Sequence, residues 1–117
     1  MLELETLSPR WARSADRVAH WMKRLEAGDL APGTTQEEYY ELLVSVCRDL
    51  RARIYADERD PRVEGSLAIV GVVAGQKWLV KVNGKAELLT GFPPENATRY
   101  LHNPRYRFLG TVEQVRK

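Results

Sequence analysis

The sequence predicts an α+β domain, with two antiparallel helices packed on one face of a four-stranded antiparallel sheet that is a meander plus one further strand. Three observations carry this. Apolar residues recur at spacings of three and four up to about residue 55, and beyond it they fall in short β-branched runs. Glycine, proline and asparagine punctuate the second half as hairpin turns do. A length of 117 residues with 44% hydrophobic content suits one core, so residues 1–117 are expected to form a single domain.

The first helix is expected to open at Ser8-Pro9. Trp11, Ala15, Val18, Met22 and Leu25 then give it one apolar face, and Gly28 closes it as a C-terminal cap. Ala31-Pro32-Gly33 links it to a second helix, where Thr35 and Glu38 have the spacing of a capping box. Tyr39, Leu42, Leu43, Val46, Leu50 and Ile54 form its apolar stripe, which predicts a helix ending near Tyr55.

A charged loop over 56–65 leads into Leu67 to Val73, an apolar run expected to be a central strand. Ala74-Gly75-Gln76 returns the chain into Lys77 to Val82. Asn83-Gly84 is expected to take positive φ and join that strand to Lys85 to Thr90. Gly91 with Pro93-Pro94 ends the ladder, which holds the Thr90 hydroxyl at a sheet edge, with Gly91 expected to supply an unusual backbone angle. Tyr106 to Val115 supplies the last strand.

The formal net charge is only +2, so local clustering rather than bulk charge must identify a partner. The single cysteine, Cys47, lies in an apolar helical stripe and reads as a buried thiol, which leaves no internal disulfide and no multi-cysteine metal site. No apolar run reaches the roughly 20 residues of a membrane span, and the start Met1-Leu2-Glu3-Leu4-Glu5 does not resemble a signal peptide. A cytoplasmic location is expected, with delivery into another cell as the variant. Neither a metal nor a cofactor is expected.

Two regions suggest chemistry. On a helical wheel His20 falls on the outward side of the first helix with Arg13, Arg17 and Arg24. That is either a solvated basic face or a patch that neutralises a phosphate backbone beside a histidine able to move protons near neutral pH. Arg99, Tyr100, His102, Arg105, Tyr106 and Arg107 then cluster in a loop. Cleavage of RNA by its own 2′-hydroxyl needs a base, an acid and cations or hydrogen-bond donors, parts that histidine, arginine and a fixed hydroxyl can provide, and tyrosines can stack on unpaired bases. The plain alternative is a polar loop whose arginines pair with carboxylates and whose tyrosines cap the core.

The layout resembles the barnase, EndoU, colicin and RelE-like (BECR) group of small endoribonucleases, in its phage or polymorphic-toxin branch. The resemblance is carried by Trp78-Leu79-Val80-Lys81-Val82, the Asn83-Gly84 turn and Thr90-Gly91-Phe92-Pro93. It implies a toxin-like, metal-independent endoribonuclease that leaves a 2′,3′-cyclic phosphate. By position it implies His20, Lys81 or Lys77, and Thr90, with Arg99, Tyr100 and His102 as further candidates; together with the clusters above, this makes His20, Thr90, Arg99 and His102 the catalytic candidates and Arg13, Arg17, Lys81, Tyr100, Arg105 and Tyr106 the contacts to RNA. The partners it implies are RNA, with tRNA as one target, and an antitoxin or immunity protein. The competing expectation is a noncatalytic module that docks on a larger protein. Modest charge, no carboxylate evident as general base, and the aromatics Trp21 and Tyr40 as an exposed patch favour it.

Overall fold

The computed structural model describes residues 10–58 and 65–115, so the expected helix start at Ser8-Pro9 lies outside the described residues. The fold is α+β, with α1 (Ser14–Glu26), α2 (Gln36–Arg48), β1 (Arg53–Asp57), β2 (Leu67–Val73), β3 (Gln76–Val82), β4 (Leu88–Phe92), α3 (Ala97–Leu101), β5 (Tyr106–Thr111) and α4 (Val112–Val115). Five strands pair antiparallel in the order β4-β3-β2-β1-β5, with β2 at the centre.

The fifth strand is β1, where the sequence pattern extends the second helix. Asp49 ends α2: its Oδ1 accepts the Arg51 N–H and its carbonyl accepts the Ala52 N–H, which turns the chain out of the helix. Arg53 to Asp57 then alternates, with Ile54 buried under α2 and Tyr55 on the opposite face. The last strand is correspondingly shorter than expected. Thr111 and Gln114 exchange backbone-to-side-chain hydrogen bonds and start the helical turn α4. The loop after β4 contains a helical turn, α3, whose start is capped by Asn96.

The capping box that opens α2 forms as the sequence predicts, with Glu38 N–H donating to Thr35 Oγ1 at 3.1 Å and Thr35 N–H to Glu38 Oε1 at 2.9 Å. Tyr39, Leu43, Val46 and Cys47 on α2 pack with Ile54, Ile69, Trp78, Val80, Val82 and Leu88 in one core. Each large side chain buried there contributes about 1.5–3 kcal/mol.

The turn chemistry differs from expectation. Positive φ at both central positions belongs to Ala74 (51°) and Gly75 (79°) between β2 and β3. At the second turn Ala86 N–H donates to the Asn83 carbonyl, and Ala86 itself takes φ 64°. The Asn83 side chain accepts the Lys85 and Glu87 N–H groups, so this asparagine acts through its side chain and β4 starts only at Leu88.

Helix α1 packs against β4 and α2, but not by its expected stripe. Trp11 precedes the helix and forms a bridge to Leu88, so it does not belong on the helical wheel. The partly buried residues are Asp16, His20, Trp21, Arg24 and Leu25, while Val18 and Met22 are 38% and 48% exposed. Trp21 and Tyr40, expected as an exposed patch, instead pack against the core, and the Trp21 indole donates to the Thr34 carbonyl.

Candidate functional site

Register places Thr90 opposite Lys81 and Phe92 opposite Leu79. These residues share the face of the sheet turned away from α2, together with Tyr55 and Asp57 of β1 and Tyr106 of β5. β4 is an edge strand, so a side chain there can be reached from beyond the sheet, and α1 lies at that edge.

The turn of α1 brings the His20 imidazole to the Thr90 hydroxyl, with Nδ1 and Oγ1 3.3 Å apart. The wheel's outward histidine is therefore partly buried. Trp11 stacks on its ring at a centroid distance of 5.7 Å and an angle of 9°. Burial lowers the His20 pKa from its ordinary value, against the pull of Asp16 in the other direction, and the nearby Lys23 and Arg24 lower it further. The ring is thus held neutral at pH 7. Arg24 lies over the Phe92 ring, 5.9 Å from its centroid, and pairs with Asp29 at 2.8 Å.

Next to this pair is a charged cluster centred on Asp57, whose side chain is 2% exposed. Arg105 reaches it with two hydrogen bonds, 2.9 and 2.8 Å, and Lys81 Nζ lies 3.3 Å from Oδ2. The bonds to Asp57 raise the Arg105 pKa. Lys81 and Arg105 also lie 5.3 and 5.2 Å from the centroid of Tyr106, and the Tyr106 hydroxyl donates to that of Tyr100 at 3.2 Å. Burial raises both tyrosine pKa values, so both hydroxyls stay protonated. Tyr106 is buried, whereas Tyr100 is exposed and meets Phe92 edge-on at 5.6 Å.

Of the sequence candidates, the fold joins His20 to Thr90, sets Lys81 beside Thr90, and links Lys81, Arg105, Tyr106 and Tyr100 through Asp57 and ring contacts. His102 follows α3 and lines a separate groove with Arg53, Tyr55, Val72 and Lys77, and no described contact links it to His20. Arg99 borders a shallow depression with Tyr100, His102 and Arg105. Arg13 is exposed ahead of α1, and Arg17 lines a hollow with Trp11 and Glu37.

Sequence reasoning missed Asp57 and Trp11 as parts of this site. The alternation of Arg53, Tyr55 and Asp57 was the available signal for the first. Trp11 carried none, because its contact with His20 depends on how the chain pairs with the β4 edge. Among the described residues no group of three or more histidines, cysteines or carboxylates could hold a metal ion, and no helix is long and apolar enough to cross a membrane. Comparison of the chain with protein-family models, curated proteins and solved structures gives no match.

Proposed function

We propose that the protein is an endoribonuclease of the toxin-like BECR type, using side chains to move protons and acting on cellular RNA such as tRNA. The observation that carries this is the contact between a neutral, partly buried His20 and the hydroxyl of Thr90, beside Lys81. In the tautomer whose Nδ1–H donates to Thr90 Oγ1, the imidazole lone pair is on Nε2, which is the form a general base requires. Nε2 takes the proton of the RNA 2′-hydroxyl. The 2′ oxygen bonds to phosphorus as the bond to the 5′ oxygen breaks, and that oxygen leaves with a proton from solvent. The products are a 2′,3′-cyclic phosphate and a 5′-hydroxyl. Side chains of cross-strand partners start about 5 Å apart, so Lys81 can lend positive charge to a phosphate held at Thr90.

The test is incubation of the purified chain with total RNA in EDTA, followed by analysis of end groups. Cyclic-phosphate ends that fall by about a hundredfold in His20→Ala support the reading. Intact RNA at high protein concentration overturns it.

A second reading is favoured by one observation: the exposed Val18 and Met22 lie four residues apart on α1 with exposed Ala15 and Ala19. An unfilled apolar stripe of this kind suits a protein partner, either an antitoxin or immunity protein or the larger protein that a noncatalytic module would serve. Expression toxicity scored beside affinity capture separates the two, because only the nuclease is toxic without its partner.

A further inference from the structure

A cavity of roughly 910 Å³ lies away from His20. It is a groove on the same sheet face, walled by α3 and lined by Arg51, Arg53, Tyr55, Val72, Lys77 and His102. Register explains the lining: Val72 pairs with Lys77, and Tyr55 with Phe108, so all four point to this side. Two features distinguish it from a solvated surface. First, Arg51, Arg53 and Lys77 have no carboxylate partner among the described residues, and the one carboxylate lining the groove, Asp49, already accepts the Arg51 backbone N–H. Second, the Arg53 guanidinium lies against aromatic neighbours. It lies 4.1 Å from the Phe108 centroid, its Nε donates to Tyr55 Oη at 3.0 Å, and Phe108 remains 46% exposed.

We infer that this groove binds a short single-stranded segment of RNA, with Arg51 and Lys77 on its phosphates and the Arg53–Phe108 platform under a base. The cations supply charge complementarity to a polyanion, and the planar platform supplies stacking, the combination by which single strands are gripped. A duplex would hide the base faces that such a platform needs. An acidic peptide would use the cations alone. The inference deepens the proposed function, and rests on it, by naming where a strand runs beyond the scissile bond.

The test measures binding rather than cleavage, so that the two can fail separately. A fluorescent 2′-O-methyl oligouridine of about ten nucleotides cannot be cut through its 2′ oxygen and spans a site of the usual size. Its affinity for the full chain is read by anisotropy across a salt series. The expected result is that Lys77→Ala lowers the slope of log affinity against log salt by about one, and that Phe108→Ala and Arg53→Glu each weaken binding by about fivefold or more. Lys85→Glu, on the distant Asn83 turn, leaves affinity within twofold. No measurable binding, equal affinity in wild type and a folded Arg53→Glu/Lys77→Glu double variant, or equal affinity for a polyglutamate of the same charge would each overturn the inference. Cleavage of total RNA by the wild type is scored apart: cleavage with groove-insensitive binding sinks the groove alone, and groove-dependent binding without cleavage sinks the nuclease alone.

Discussion

Leu43 of α2 occupies the space that a side chain on Gly91 of β4 would need: a Cβ added there would stand 2.3 Å from Leu43 Cδ2. Glycine at this position serves the close approach of helix to strand rather than an unusual backbone angle. Tyr39, one turn earlier, fixes the same approach by donating to the Gly91 carbonyl at 2.6 Å. The strand that carries Thr90 is thereby clamped against α2. Gly91→Ala should destabilise the fold by about 2–3 kcal/mol, through overpacking. Chemical denaturation checks this, and adding Leu43→Ala should make the pair less than additive, since the shorter side chain removes the clash and the added methyl fills part of the cavity that Leu43→Ala leaves.

The lowered pKa of His20 sets a pH dependence for both activity and stability. Activity that needs the neutral ring should be full at pH 7 and decline on an acid limb whose midpoint lies below about 6.5. For stability the sign follows from proton counting. The unfolded chain binds the His20 proton at about 6.5 while the folded chain does not yet, so stability falls as pH drops below that value and levels off beneath the folded pKa. Cleavage rates and thermal melts from pH 5 to 8, with His20→Gln as the variant that flattens this part of the melt profile, test both statements.

Asp57 pairs with Lys81 and Arg105, and the loss of the carboxylate leaves these cations facing each other. Asp57→Asn should therefore cost about 2–4 kcal/mol, in the lower part of the range for breaking a buried pair because the cations are partly exposed. Lys81→Met alone should cost about 1 kcal/mol or less, since Asp57 keeps Arg105. Urea midpoints of the two variants give the comparison.

Two alanines sit in the left-handed region, Ala74 at φ 51° and Ala86 at φ 64°. Replacing Ala86 with glycine should stabilise the protein by about 0.5–1 kcal/mol and raise its melting temperature by a few degrees. The same change in a helix interior would be destabilising, so a raised melting temperature identifies the turn geometry.

The Cys47 thiol is fully buried, and that burial pushes its pKa up to about 12. It should react with a thiol reagent only in denaturant. Rapid labelling of the native protein would contradict the packing of α2 on the sheet.

Local signals in the sequence were enough for the cap of α2 and for the central strand, but not for the Asn83 turn, where the positive φ falls on Ala86. Thr35 and Glu38 cap α2 through bonds three residues apart, and Leu67 to Val73 is apolar on both faces because it is central. Ile54 misled because it lies four residues after Leu50 and eight after Val46, a helical spacing that a buried strand residue can share by chance over so short a run. His20 misled for a different reason. The face that α1 turns inward is chosen by the β4 edge and by Trp11 stacked on the ring, contacts 70 and 9 residues away in the chain. Thr90 does lie on an edge strand, but in the middle of β4 rather than at a corner where the strand stops, because the ladder continues through Gly91 to Phe92; its histidine partner depended on that long-range docking.

The sheet order also governs when these groups meet during synthesis. Strands β1 to β4 are neighbours in sequence order and can zip as the polypeptide leaves the ribosome, whereas β5 is made last and crosses back to β1. Arg105 and Tyr106 sit on β5, so pairing Asp57 with Arg105 closes a loop of 48 residues, far longer than the hairpin turn that joins β2 to β3.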